Sequence, residues 1–148
     1  MLSENIIGQT KIKEAIKILI DGNDVVSHIL FCGGSGLGKT TFAKEIAIQK
    51  NSNIHLANGA TIKNESCVIS YLVKIKYGDI LFVDEVHRLS HKAQESLYTS
   101  LEDFRFDTSS LGSVTTVSYK LPRFTFVGAT TEKGKMLQPF LALSLIHI

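Results

Sequence analysis

The sequence predicts an α/β fold, with a parallel sheet covered by helices on both faces. Three observations carry that expectation. Short apolar runs, HILFC (28–32), NIHLA (53–57), DILFV (79–83) and RFTFVGA (123–129), alternate with segments whose apolar residues recur at helical spacing. DILFV is a continuous apolar run, which suits a strand buried on both faces, and RFTFVGA reads as a further buried strand. A glycine-rich stretch leaves HILFC and an acidic pair leaves DILFV, so a parallel sheet brings both to one edge.

The elements follow from local pattern. In TKIKEAIKILI (10–20), Ile12, Ala15, Ile16, Leu19 and Ile20 share one helical face, Thr10 is the N-cap, and Lys11, Lys13 and Lys17 form a solvated face. KTTFAKEIAIQK, from Lys39, repeats the pattern with Phe42, Ala43, Ile46 and Ala47. ESCVISYLVKIK (65–76) also reads as a helix. Ser90 caps a further helix, SHKAQESLYTSLEDF, whose stripe is Ala93, Leu97, Leu101 and Phe104. Residues 105–120 carry Thr, Ser, Val and Tyr around Gly112 and predict a β-hairpin.

Composition narrows the function. The chain has 148 residues, 44% hydrophobic and 20% charged, an ordinary globular mixture for one domain. A net charge of +2 is too small to argue for a nucleic-acid or membrane partner. Cys32 and Cys67 lack metal-ligand spacing, so a reducing, cytoplasmic setting is the expectation. No run is long enough to span a membrane, and MLSENIIGQTK lacks a signal pattern.

GGSGLGKT fits G-x-x-x-x-G-K-[ST] in full, between a strand and a helix. Its residues Gly33, Gly34, Ser35, Gly36, Leu37 and Gly38 predict a backbone cradle whose N–H groups face phosphate oxygens, with Thr41 following in the helix. The helix N-terminus adds partial positive charge. Lys39 is expected at the β- and γ-phosphates of ATP, and the Thr40 hydroxyl at Mg²⁺. In ILFVDEVH, Asp84 is the second candidate for the Mg²⁺ shell and Glu85 the candidate general base. In VGATT, Thr130 or Thr131 is placed to face the γ-phosphate. His28, His55, His87 and His91 read as surface or satisfied structural residues, with His87, near the acidic pair, the one candidate for coupling. Tyr71, Tyr77 and Tyr98 read as packing residues.

Taken together, IIGQTKIKEAIKILI, HILFCGGSGLGKTTFAKEIA, GDILFVDEVHRLSHKAQESLYTSLEDFRFD and LPRFTFVGATTEKG resemble the AAA+ ATPases, and more narrowly the RuvB family of Holliday-junction branch-migration motors. The likeness covers nearly all of residues 5–139. It implies a P-loop NTPase fold, the AAA+ large subdomain, with an inserted β-hairpin. It implies ATP and Mg²⁺ as cofactors, and ATP hydrolysis with DNA helicase activity in the longer protein. It favours Thr131 over Thr130 as the residue sensing the terminal phosphate, and puts Ile6, Ile7 and Gly8 near the adenine. It implies a homo-oligomer, a hexameric ring, acting on Holliday-junction DNA, with a RuvA-like partner docked on the 106–121 hairpin. Here that hairpin is TSSLGSVTTVSYK, without the family's run of isoleucines, leaving Leu111, Val114 and Val117 as its apolar residues. Two other readings stand beside this one. One is a different AAA+ machine, clamp-loader-like or protein-remodelling. The other is a nucleotide-binding module that does not hydrolyse, against which Asp84 and Glu85 argue.

The family continues from the sensor into P-L-R-D-R-F-G, whose arginine reaches the neighbouring subunit's ATP; here Pro139 is followed by Phe140, Leu141, Ala142 and Leu143. The expectation is an incomplete nucleotide-binding core over 1–142, lacking the family's fifth strand, small helical domain and DNA-binding domain, and binding nucleotide weakly without turnover by itself. One reading frame of a transposase adapter used in sequencing libraries translates to Leu-Ser-Leu-Ile-His-Ile, which matches 143–148. That tail is read as adapter-derived, with a composition that permits a strand beside the open edge of the first.

Overall fold

A computed structural model of the chain describes residues 14, 17, 28–34, 38–107, 118–131 and 144–147. Of the predicted 10–20 helix, Glu14 and Lys17 are helical and exposed, and the remainder lies outside the described residues. The described elements run β1 (Ile29–Cys32), α1 (Lys39–Gln49), β2 (Ile54–Asn58), α2 (Glu65–Leu72), β3 (Ile80–Asp84), a 3₁₀ turn (Val86–Arg88), α3 (His91–Asp103), β4 (Arg105–Asp107), β5 (Ser118–Lys120), β6 (Thr125–Thr130) and β7 (Ser144–His147).

The main sheet has the order β2-β3-β6-β1-β7, and every pairing in it is parallel. Its central strands, whose middles are apolar, are buried on both faces along almost their whole length. Side chains along β1 alternate between two cores. Ile29 and Phe31 pack with Ile80, Phe82 and Val127 against Phe42, Ala43 and Ile46 of α1. Leu30 and Cys32 join Leu81, Val83 and Phe126 beneath Val68 and Leu72 of α2 and Ala93, Leu97 and Leu101 of α3. The rings of Phe31 and Phe42 stack with centroids 5.7 Å apart, which fixes α1 over the strand that feeds it.

The fifth sheet position, expected to be lacking, is filled by Ser144–His147, which pair with β1 from Ile29↔Ser144 to Cys32↔His147. An open strand edge offers a row of backbone N–H and C=O groups to any segment that can lie extended beside it.

Helix α2 ends at Leu72, four residues short of the sequence expectation. Asn64 caps it, its side chain accepting from the Cys67 N–H. Beyond Leu72, the N–H groups of Lys74 and Ile75 reach back only three residues, to Tyr71 and Leu72. That tightening swings Ile75 into the core and starts the descent through Gly78 (φ +81°) into β3. Tyr77, expected to pack, is 67% exposed on this turn. Tyr71 and Tyr98 are partly buried against the α2–α3 core, as expected.

Ser90 caps α3, accepting from the Ala93 N–H at 3.1 Å, and Phe104 ends the helix in the left-handed conformation. The chain then forms the predicted hairpin, with β4 and β5 antiparallel and Phe106 stacked on Tyr119. Residues 108–117, with Leu111, Val114 and Val117, lie outside the described residues. No helix among the described residues is long and apolar enough to cross a membrane.

Candidate functional site

The site lies at the C-terminal edge of the parallel sheet, where open α/β sheets place ligands. Gly38 occupies the N-cap position of α1 at φ +86°, a conformation that strains any residue with a Cβ. It makes no side-chain cap, and the first turn of α1 holds no acidic residue. The positive end of the helix therefore has neither a side-chain cap nor an acidic residue in its own first turn, which suits an anion.

Lys39 is only 7% exposed. Its ammonium donates to the carbonyls of Gly33 and Gly34 at 2.9 and 2.8 Å. These charge-assisted bonds hold the cation over the start of the glycine loop. The loop is fixed at its base as well, because the Gly33 N–H donates to the Thr130 carbonyl at the tip of β6.

Across from the loop, Asp84 closes β3 and accepts the Glu85 N–H on Oδ1 at 2.9 Å. Glu85 adopts φ +49°, ψ +45°, which is uncommon for a residue with a side chain and marks a sharp reversal. The Glu85 carbonyl accepts from Arg88 at 2.9 Å, closing the 3₁₀ turn, and the carboxylate lies 3.6 Å from the Arg88 guanidinium. Both partners of that ion pair are substantially exposed, so it contributes little stability.

A cavity of about 370 Å³ lies between these features, lined by Gly38, Lys39, Thr40, Thr41, Asp84, Glu85 and Thr131. Its size falls within the range of small-molecule sites. Among the described residues it brings together one buried cation, an open helix N-terminus, two carboxylates and three threonines. Of the residues expected at the phosphates, Gly33 and Gly34 lie at the loop entrance, and Ser35, Gly36 and Leu37 lie outside the described residues, as do Ile6, Ile7 and Gly8. Thr131 lines the cavity, whereas Thr130 is buried, with its hydroxyl 2.9 Å from His87 Nδ1.

Mg²⁺ prefers hard oxygen donors, keeps several waters, and is held by one or two protein oxygens together with phosphates. Thr40 and Asp84 supply one hydroxyl and one carboxylate on the same cavity, a donor set that fits this ion. No group of three or more His, Cys, Asp or Glu able to hold a metal occurs among the described residues.

Sequence reasoning missed Gly59. Its N–H donates to the Asp84 carbonyl at 2.8 Å, and a Cβ built there would sit on the Glu85 backbone carbonyl oxygen. The acidic turn thus rests directly on the backbone that follows β2. The available signal was the Asn58-Gly59 pair ending the second strand, a turn dipeptide on the same sheet edge.

Comparisons with known proteins bear on the family and the fold. A family model described as the Holliday junction DNA helicase RuvB P-loop domain matches residues 1–145. The RuvB branch-migration complex subunit of Aliarcobacter butzleri is 41% identical over 142 residues, covering 92% of this chain and 41% of that protein. The corresponding Campylobacter lari subunit is 41% identical over 139 residues, 90% of this chain and 41% of its own length. The solved Thermotoga maritima RuvB branch-migration motor superposes with a TM-score of 0.82 at 31% identity, covering all of this chain and 48% of that one. A single-residue variant of it gives 0.85 at 32%, over 96% and 46%. The ATP complex of Brucella abortus NtrX, at 22% identity and a TM-score of 0.66, shares the fold alone. This chain spans less than half the length of the RuvB relatives it matches. Its fold is that of an α/β P-loop NTPase, and the chain belongs to the RuvB P-loop domain family.

Proposed function

We propose that the chain is the ATP-binding and ATP-hydrolysing core of a branch-migration motor acting on Holliday junctions. The observation that carries this reading is the convergence of Lys39, Thr40, Asp84, Glu85 and Thr131 on one cavity at the C-terminal edge of the sheet. Neither a different AAA+ machine nor a module without hydrolysis is favoured by the relatives, which are RuvB subunits throughout the leading matches.

In this reading the N–H groups at the head of α1 bind phosphate oxygens. Lys39 turns its ammonium from the Gly33 and Gly34 carbonyls toward the β- and γ-phosphates, exchanging neutral acceptors for anionic ones. Thr40 and Asp84 would hold Mg²⁺, which when bound would neutralise charge on the phosphates. Glu85 accepts a proton from the attacking water, and Thr131 faces the γ-phosphate from the tip of β6. Little covalent work falls to the protein, so positioning and electrostatics supply most of the rate.

The longer protein would assemble as a ring, dock a RuvA-like partner through the 106–121 hairpin, and act in the cytoplasm. Cys32 and Cys67, neither of them in a disulfide, suit that compartment. Residues 143–148 are read as an adapter-derived tail, of which Ser144–His147 lie along the edge of β1, and the genomic codons downstream of residue 141 test that assignment. The function itself is tested by junction-stimulated ATP turnover and strand exchange in the full-length gene product. Turnover indifferent to DNA would contradict it.

A further inference from the structure

The bond between His87 and Thr130 joins the two halves of the site. Thr130 is 1% exposed, and three connections meet at this residue. Its carbonyl accepts from Gly33 and so anchors the entrance of the glycine loop. Its hydroxyl pairs with His87 Nδ1 at 2.9 Å. Its main chain runs directly into Thr131, which lines the cavity. On the other side, His87 sits within the 3₁₀ turn that begins at Glu85 and closes through the bond from Arg88 N–H to the Glu85 carbonyl. Glu85 holds a left-handed conformation that the isolated chain does not favour, so the turn's position depends on what it is tied to. Below it the turn rests on Gly59, and beside it the turn is tied through His87 to β6.

We infer that His87 is a positioning residue for hydrolysis: through Thr130 it sets the placement of the Glu85 turn relative to Thr131 and the glycine loop. This rests on the assignment of Glu85 as base. His87 does not line the cavity, so its effect passes through the turn and falls on the chemical step rather than on nucleotide binding. A histidine and a threonine 43 positions apart thereby couple the acidic turn to the strand tip facing the γ-phosphate. A shift of Thr131 on loss of that phosphate would reach Glu85 by the same route.

The test is ATP turnover and ATP affinity in the full-length gene product. His87→Ala should lower kcat by about tenfold or more while the Kd for ATP stays within about threefold. His87→Asn, whose amide reaches the Nδ1 position, should recover most of the rate, and His87→Gln should not. Thr130→Val should reproduce His87→Ala, Thr130→Ser should not, and the double variant His87→Ala/Thr130→Val should be no slower than either single one. Should His87→Ala prove unstable, the Asn, Gln, Val and Ser variants carry the comparison. A wild-type kcat in His87→Ala, equal rescue by Gln and Asn, or additive losses would overturn the inference. Glu85→Gln separates the two levels. If that variant is inactive while His87→Ala is normal, only the positioning role falls. If it turns over like wild type, the assignment beneath it falls too.

Discussion

The two ends of the main sheet treat polar groups in opposite ways. At the N-terminal ends of the strands, such groups are closed on one another. His28 accepts the Phe126 N–H on Nδ1 at 2.9 Å and lies 3.3 Å from the Leu101 carbonyl through Nε2, which makes it a neutral ring with its proton on Nε2. Burial holds its pKa below the ordinary 6.5, opposed in part by the bond to Leu101. Buried Asp79 accepts the Lys76 N–H and pairs with His55 at 2.8 Å. At the C-terminal ends, a helix N-terminus has no side-chain cap, a lysine donates to the neutral carbonyls of Gly33 and Gly34, and a glutamate sits in left-handed backbone. One end spends its polar groups on the fold. The other, besides the closed Thr130–His87 pair, keeps Lys39, Thr40, Asp84, Glu85 and Thr131 at a cavity, where a ligand can complete them.

Four substitutions test that contrast, in decreasing order of expected effect. Glu85→Gln in the full-length gene product should retain ATP binding and lower turnover by about 10² to 10⁴-fold, the usual range for removing a general base; steady-state and single-turnover rates check it. Lys39→Ala removes charge-assisted bonds to phosphate and should weaken ATP binding by about 100-fold or more in a titration of this chain. Gly59→Ala forces a methyl group against the Glu85 carbonyl and should destabilise the fold by roughly 1–3 kcal/mol in denaturant unfolding, with loss of turnover as the acidic turn moves.

The smallest effect belongs to the closed end. The folded protein disfavours protonated His28, so the unfolded chain takes up the proton first as pH falls. Stability contributed here is full above about 6.5, the unfolded value, and declines as pH drops from there toward the lowered folded value. His28→Gln, which can still donate to the Leu101 carbonyl, should lose less stability than wild type between pH 7 and pH 5. A steeper loss in the variant would contradict the neutral pairing.

Legibility in the sequence divides along the same line. The glycine loop, the acidic pair and the Ser90 cap each sit within a few residues, so local spacing exposes them, and the apolar runs give the parallel sheet and its shared edge. Contacts made by distant residues left no local trace. His28 with Phe126 spans 98 positions, His87 with Thr130 spans 43, and neither histidine stands in a motif naming its partner. The close approach of Gly59 to Glu85 depends on β2 pairing with β3, which no single segment encodes. The early end of α2 was hidden because Ile75 keeps an apolar rhythm after the helical bonding has tightened.

The most direct measurement is the map of backbone amide shifts in this chain on titration with Mg·ATP. Shifts should concentrate in residues 33–41, at Asp84 and Glu85, and at Thr131, with His28, His55 and Asp79 unmoved. Shifts centred on the N-terminal ends of the strands, or saturable binding that leaves residues 33–41 unperturbed, would contradict it.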